Sequence, residues 1–375
     1  MKFFRISLLV SLFCSAVFSA DLYAQGEPPP LIKKDDEVLK INTQLVEVPI
    51  VVTDKSGNPL RNLKQTNFIV FEDGKPQEIT EFTTTNAPFE VVLLLDTSGS
   101  TRSDLRFIKL AAAAFISSLR AGDRVAILAF NTARDETRAY AVPEILTNLT
   151  DDRTQLQDAL DRVSTSNGTP YYDSLLQITE KIFKNEPNKE FRGRRAIVAL
   201  TDGVDSTSEA DFAEASEELG NTGVVTYFIQ VNTREFFEAE LLGDCEFALR
   251  FSKAQIRRYY RTFFPRSKVE QTMDFCQIGD FERLDMSKRL YWLANEEMKK
   301  LAQTSGGKIF AVGDVREAKA AFISVAEEIG TKYSLGYYST NEKRDGKYRQ
   351  IKVELKGIPA GASVRAREGY TAPIN

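Results

Sequence analysis

The chain has 375 residues, 42% hydrophobic and 27% charged, with a net charge of −4, which fits a globular protein of about two domains. It contains no histidine, which excludes Ser-His-Asp and Cys-His catalysis, histidine-ligated zinc and imidazole pH switching. Any metal must be held by oxygen, which points to a hard cation such as Mg2+, Mn2+ or Ca2+, and the mild charge gives no whole-chain argument for nucleic-acid or membrane binding.

Lys2 and Arg5 precede an apolar run over 6–20. That run is short for a membrane span and suits a secretory signal. Residues 1–24 are therefore expected to be a signal peptide, and the mature chain to be exported, periplasmic or extracellular, with no transmembrane segment. Residues 25–38 ("GEPPPLIKKDD" and its neighbours) hold three prolines and no periodicity, as a flexible linker does. Residues 39–88 read as a small β module. "TQLVEVPIVVTD" is rich in β-branched residues, and "NFIVFEDGKPQEITEFTT" holds two strand-like runs separated by Asp73-Gly74, a hairpin signal.

From Phe89 strands and helices alternate. Val91–Leu95 is wholly apolar, as a strand covered on both faces is. Leu105, Ile108, Ala112, Phe115, Ile116 and Leu119 follow at helical spacing. Arg124–Phe130 is a second buried strand, and 154–163 and 171–183 read as helices. "RRAIVALTDG" is a strand ending at Asp202-Gly203. A helix, the strand "VVTYFIQVN", a helix from Tyr291, the strand "KIFAV" and a helix over about 315–330 complete the series. The rhythm predicts a mostly parallel sheet with helices on both faces over 89–332.

An interruption at about 233–288 has no place in that rhythm. It holds Cys245 and Cys276, the two cysteines left once Cys14 departs with the signal. In an oxidising compartment a single disulfide is expected, the alternative being two buried thiols. "ALRFSKAQIRRYYRTFFPRSK" carries seven basic residues and no acid. It reads as an amphipathic helix whose charges are solvated or paired with Glu235, Glu238, Glu240 and Asp244, in preference to an anion-binding patch. Residues 333–375 return to β alternation, with Asp345-Gly346 as a turn between the first two runs. This segment is expected to pack with 39–88 as two halves of one sandwich, because so few strands seldom stand alone.

Asp96 and Asp202 each stand at the end of a predicted buried strand, where open α/β sheets bind ligands. Gly168-Thr169-Pro170 opens a predicted helix between them. Asp96, Ser98, Ser100, Thr169 and Asp202 are then five oxygen donors that can converge, a set that suits Mg2+. Residues at alternate positions of a tight loop can face one centre, and Gly99 permits the bend.

These residues resemble the metal-ion-dependent adhesion site of von Willebrand factor type A domains. That family's pattern is DxSxS, then a distant threonine, then T-D-G after a later strand. Here they are Asp96-Thr97-Ser98-Gly99-Ser100, Thr169, and Thr201-Asp202-Gly203. The flanking text, "VTDKSGNPLRNLKQTNFIVFEDGKPQ" and "YSLGYYST…RAREGYTAP", is similar to a bacterial group of exported proteins of this kind. The resemblance implies a Rossmann-like, doubly wound α/β domain with a small flanking β sandwich. It also implies a Mg2+ ion (Mn2+ or Ca2+ being the alternatives) with one position left for a partner protein's Asp or Glu.

The leading reading is an exported, metal-dependent adhesion or protein-binding module and not an enzyme. A Mg2+-dependent hydrolase or phosphatase is the alternative from another class. An aspartyl nucleophile there needs a second acid two residues on, and that position is Ser98. No phosphate-cradling glycine loop is present. A scaffold with the fold and no metal is the third reading.

Overall fold

The computed structural model describes residues 45–84, 87–99, 104–192, 194–266, 274–358 and 360–374. The expected signal peptide, the linker and Ser100 lie outside the described residues.

The N-terminal β text forms β1 (Leu45–Thr53), β2 (Phe68–Glu72), β3 (Lys75–Gln77) and β4 (Ile79–Thr83). The β2–β3 hairpin turns at Asp73 and Gly74, both with positive φ, a backbone that glycine and, less often, aspartate accept.

The α/β region runs β5 (Glu90–Leu95), α1 (Leu105–Ser118), β6 (Arg124–Arg134), β7 (Ala139–Thr150), α2 (Arg153–Arg162), α3 (Tyr171–Gln177), β8 (Arg195–Thr201), α4 (Phe212–Thr222) and β9 (Val225–Val231). It continues through α5 (Arg234–Ala239), α6 (Lys253–Phe263), α7 (Asp280–Ser305), β10 (Lys308–Val312) and α8 (Ala318–Gly330). The strands form one sheet in the order β10-β9-β8-β5-β6-β7, parallel except for β7, which pairs antiparallel with β6. Sequence reading missed β7. It is a half-exposed edge strand whose Pro143 sits opposite Phe130, a place where proline is tolerated.

Every residue of β5 is buried, because helices cover both faces. On one face α1, α2 and α8 pack through Ile108, Phe115, Leu156, Phe322 and Val325. Phe115 meets Phe322 edge-on at 5.8 Å, a contact that contributes about 0.5–1.5 kcal/mol beyond area burial. On the other face α3, α4 and α7 bring Tyr171, Leu175, Leu219 and Met298 against Val92, Leu94 and Phe228.

The tail forms β11 (Tyr333–Tyr338), β12 (Tyr348–Leu355), β13 (Ser363–Ala366) and β14 (Gly369–Thr371). It joins the N-terminal strands in two antiparallel sheets, β13-β1-β11-β4 and β14-β12-β2-β3. Their facing sides share one core, with Val48, Ile50, Tyr333 and Leu335 against Val70 and Val353, so the expected sandwich of N- and C-terminal halves is present. Inside it, Glu72 accepts hydrogen bonds from the Tyr337 hydroxyl at 2.7 Å and the Tyr370 hydroxyl at 3.0 Å. Asp345-Gly346 lies between β11 and β12, as read, but these strands belong to different sheets, so the turn is part of a crossing between the sheets.

The interruption forms α5, α6 and the first half of α7, with Cys245 bonded to Cys276. It has its own core, in which Leu241, Phe251, Ile256, Tyr259 and Leu290 surround Val204 from the loop after β8. The expected partners of the basic stretch need correction. The acids that α6 meets lie on α7: Arg258 pairs with Glu297 at 2.5 Å, and the Tyr259 and Tyr260 hydroxyls donate to Asp285 and Glu282. Of the acids named beforehand, Glu238 pairs with Arg234, its neighbour one helical turn away. Among the described residues no helix is long and apolar enough to cross a membrane.

Candidate functional site at the sheet's carboxyl edge

The strand order reverses beside β5: the chain builds outward through β6 and β7, then returns to place β8 on β5's other side. At such a switch point neighbouring loops leave in opposite directions and open a crevice. Leu95 lies opposite Leu200 in register, and the Asp96 amide donates to the Leu200 carbonyl at 2.9 Å. Asp96 and Asp202 therefore leave adjacent strands at the same edge.

The loop after β5 is folded by its own aspartate. Asp96 Oδ1 accepts the Ser98 amide at 3.0 Å, and Oδ2 accepts the Thr201 hydroxyl at 2.7 Å. Thr97 Oγ1 donates to the Phe130 carbonyl at 2.7 Å, which ties the loop to β6. The Thr97 carbonyl accepts the Ser166 amide at 2.7 Å and fixes the segment that carries Thr169. Thr169 is in turn locked to the loop after β8: its amide donates to Ser206 Oγ at 2.8 Å, and its carbonyl accepts the Ser206 amide at 3.0 Å. Hydrogen bonds thus connect the segments of Asp96, Thr169 and Asp202. Asp96, Ser98, Thr169 and Asp202 are all buried. Ser100 lies outside the described residues.

Two glycines shape this edge. Gly203, with φ at 75°, turns the chain immediately after Asp202. A Cβ on Gly168 would stand 2.6 Å from Thr207 Cγ2, so only glycine lets the Thr169 loop approach the loop after β8 this closely.

The electrostatics follow from burial. Desolvation raises Asp96 above the usual carboxylate range. Asp202 rises to about 7, first from burial and then from the Asp96 charge. Two buried carboxylates that disfavour each other's ionisation are relieved by a cation between them. The donor set is carboxylate and hydroxyl oxygen alone, which fits a hard divalent ion. Among the described residues no cluster of three or more Asp, Glu, His or Cys is placed to hold a metal. A cation here would therefore have few charged ligands and would depend on hydroxyls.

Sequence reading missed several supporting residues. Thr233, from the loop after β9, donates to Asp202 Oδ2 and lies 2.9 Å from the Tyr291 hydroxyl on α7. Asp205, raised to about 6 by burial, accepts the Tyr171 amide at 2.9 Å at the start of α3. Its signal was an acid three residues after Asp202 in the same strand-end loop, the kind of residue that caps a helix. Thr233 and Tyr291 had no local signal, because the pairing spans 58 residues.

The model of the von Willebrand factor type A domain matches residues 91–204, the span from β5 to the loop after β8. Comparison with curated proteins gives no match. Among solved structures, the chain is similar to proximal thread matrix protein 1 from the mussel byssus, at 14% identity over 74% of this chain and 51% of that chain, with a TM-score of 0.40. It is also similar to a von Willebrand factor type A protein from Catenulispora acidiphila, at 13% identity, 89% and 75% coverage, and a TM-score of 0.41. A third is the SpRpn10 VWA domain, at 12% identity, 62% and 93% coverage, and a TM-score of 0.34. The chain spans about half the length of the mussel protein. With the strand-end geometry and the match over 91–204 together, this chain carries a von Willebrand factor type A domain, of a family made up mostly of non-enzymatic binding modules that often bind a divalent cation.

Proposed function

We propose that the chain is an exported, metal-dependent protein-binding module. Asp96, Ser98, Ser100, Thr169 and Asp202 hold the cation, Mg2+ in preference to Mn2+ or Ca2+. The observation that carries this reading is the pair of buried carboxylates at the switch point, where burial raises both and the Asp96 charge raises Asp202 further. When bound, the ion supplies an electrophilic centre for an Asp or Glu of a partner protein. The chain's own residues keep it so. The Thr201 and Thr233 hydroxyls occupy one oxygen of each aspartate, so neither carboxylate is free to wrap the ion with both oxygens. Export is supported by the signal-like start and by the Cys245–Cys276 disulfide, since disulfides persist in oxidising compartments. The position two residues after Asp96, where aspartyl phosphatase chemistry needs a second carboxylate, is Ser98.

The test is retention of a partner from cell-envelope extract on the immobilised chain, with Mg2+ and with EDTA in parallel. Material released by EDTA and not retained by Asp96→Ala supports the proposal. Retention undiminished in EDTA contradicts it.

A further inference from the structure

Thr233 stands immediately before α5. A threonine hydroxyl there ordinarily caps the first free amides of the helix, yet the Thr233 side chain makes no such bond. It is spent on the metal edge instead. Oγ1 donates to Asp202 Oδ2 and lies 2.9 Å from the Tyr291 hydroxyl on α7. A hydroxyl has one hydrogen, and an ionised carboxylate can only accept. The Thr233 hydrogen therefore goes to Asp202, and Tyr291 supplies its own hydrogen to Thr233. Among the described residues the Tyr291 hydroxyl has no partner other than Thr233. The other oxygen of Asp202 is held too: Oδ1 accepts the Val204 amide at 2.9 Å. Val204 and Tyr291 both pack in the core of the interruption, with Leu241, Phe251 and Leu290, and the Tyr291 ring lies 6.4 Å from that of Phe237. Both oxygens of Asp202 are thus positioned by groups that the interruption anchors. Thr201, which holds Asp96, belongs to β8 itself.

We propose that the Tyr291–Thr233 pair determines ion selectivity, favouring Mg2+ over Ca2+ by keeping Asp202 from offering both oxygens to the ion. The inference rests on the metal-binding reading of this edge and gives the interruption a role in it. Ca2+ takes about six to eight oxygens in flexible geometry, often two from one carboxylate, whereas Mg2+ takes about six at near-ideal octahedral positions. One oxygen from each of the proposed side chains and one from a partner make about six. A carboxylate free to turn would add a further oxygen and suit the larger ion. Thr233 and Tyr291 are positioning residues, since they act through Asp202. The rival role is a plain brace between the loop after β9 and α7. A brace affects every ion alike, whereas a selectivity device changes the ratio between ions.

The test is the ratio of the Ca2+ to the Mg2+ dissociation constant, read by isothermal titration of each ion into the metal-stripped protein. The wild type should bind Mg2+ at least about tenfold more tightly than Ca2+, and Thr233→Val, which removes the hydroxyl, should bring the ratio down to about one. Partners that orient a metal-binding side chain commonly carry effects of roughly 10–100-fold. Tyr291→Phe keeps the Thr233 bond to Asp202 but releases the threonine's orientation, and should lower the ratio by about threefold, as loss of one modest hydrogen bond does. Thr233→Ser restores the hydroxyl and should restore the wild-type ratio. Urea unfolding in EDTA checks that each variant folds, and if Thr233→Val does not, Tyr291→Phe decides by the same ratio. Equal weakening of both ions with the ratio unchanged overturns the inference and leaves the metal reading standing. A wild type that binds both ions alike does the same. A wild type that binds neither ion overturns the metal reading and this inference with it.

Discussion

Replacing Asp202 with Asn should stabilise the metal-free protein at high pH and make it blind to Mg2+. Burial and the neighbouring Asp96 charge raise Asp202 from 3.8 to about 7. A shift of about three units corresponds to on the order of 4 kcal/mol. The sign follows from linkage. Below about pH 4 the group is protonated both folded and unfolded and costs nothing. As pH rises, the unfolded chain ionises first, so the folded state loses stability until about pH 7, above which the loss is complete. Asn keeps the volume and removes the charge. It sacrifices one of the two acceptor oxygens that serve the Val204 amide and the Thr233 hydroxyl, a loss of about 1 kcal/mol. In EDTA at pH 8 the variant should therefore be about 3 kcal/mol more stable than wild type, and at pH 4 no more stable. Saturating Mg2+ should close most of that gap, because ligand at about 100 times its dissociation constant adds about 2.7 kcal/mol to the wild type alone. Urea unfolding at both pH values, with EDTA and with Mg2+, measures each figure. A variant destabilised equally at pH 4 and pH 8 in EDTA would refute the picture of two competing buried carboxylates.

Gly168→Ala should push the Thr169 loop away from Thr207 and weaken Mg2+ binding by about tenfold for roughly 1–3 kcal/mol of strain. Calorimetry and urea unfolding on the same variant separate the two effects. Reducing Cys245–Cys276, whose sequence separation is 31, should remove about 3–4 kcal/mol of chain-entropy stabilisation from the interruption. Limited proteolysis should then cut within 240–280 while the sheet resists, and cleavage at an unchanged rate contradicts this. Lys332→Met should stabilise the fold by roughly 1–3 kcal/mol. Lys332 is fully buried, its Nζ has no hydrogen-bond partner, and desolvation lowers its pKa well below the ordinary value. The gain should shrink as pH rises toward 10.5, where the unfolded lysine also loses its proton. Destabilisation by this variant, read from urea curves, would contradict a costly buried amine.

Much of this was legible in the sequence because it rests on local pattern. The short apolar runs Val91–Leu95 and Ala196–Leu200 read as doubly covered strands, and the polar residues at their ends then fall at the carboxyl edge of the sheet. The sandwich was legible because neither β segment could bury its own face. What escaped reading depends on partners distant in the chain. β7 carries little alternation, since an edge strand is half-wetted along its length. The interruption's fold depends on Val204 and on acids of α7. The buried Lys332 joins α8 to β11 within two residues, and nothing beside it in sequence announces that both neighbours cover it.

The central claim is that the carboxyl edge binds a divalent cation through oxygen ligands. Isothermal titration of Mg2+ into the metal-stripped protein, run beside Asp96→Ala of verified fold, tests it most directly. The account predicts one saturable site in the wild type and no binding heat in the variant. A folded wild type that takes up no Mg2+, Mn2+ or Ca2+, or an Asp96→Ala variant that binds as tightly as the wild type, would contradict it.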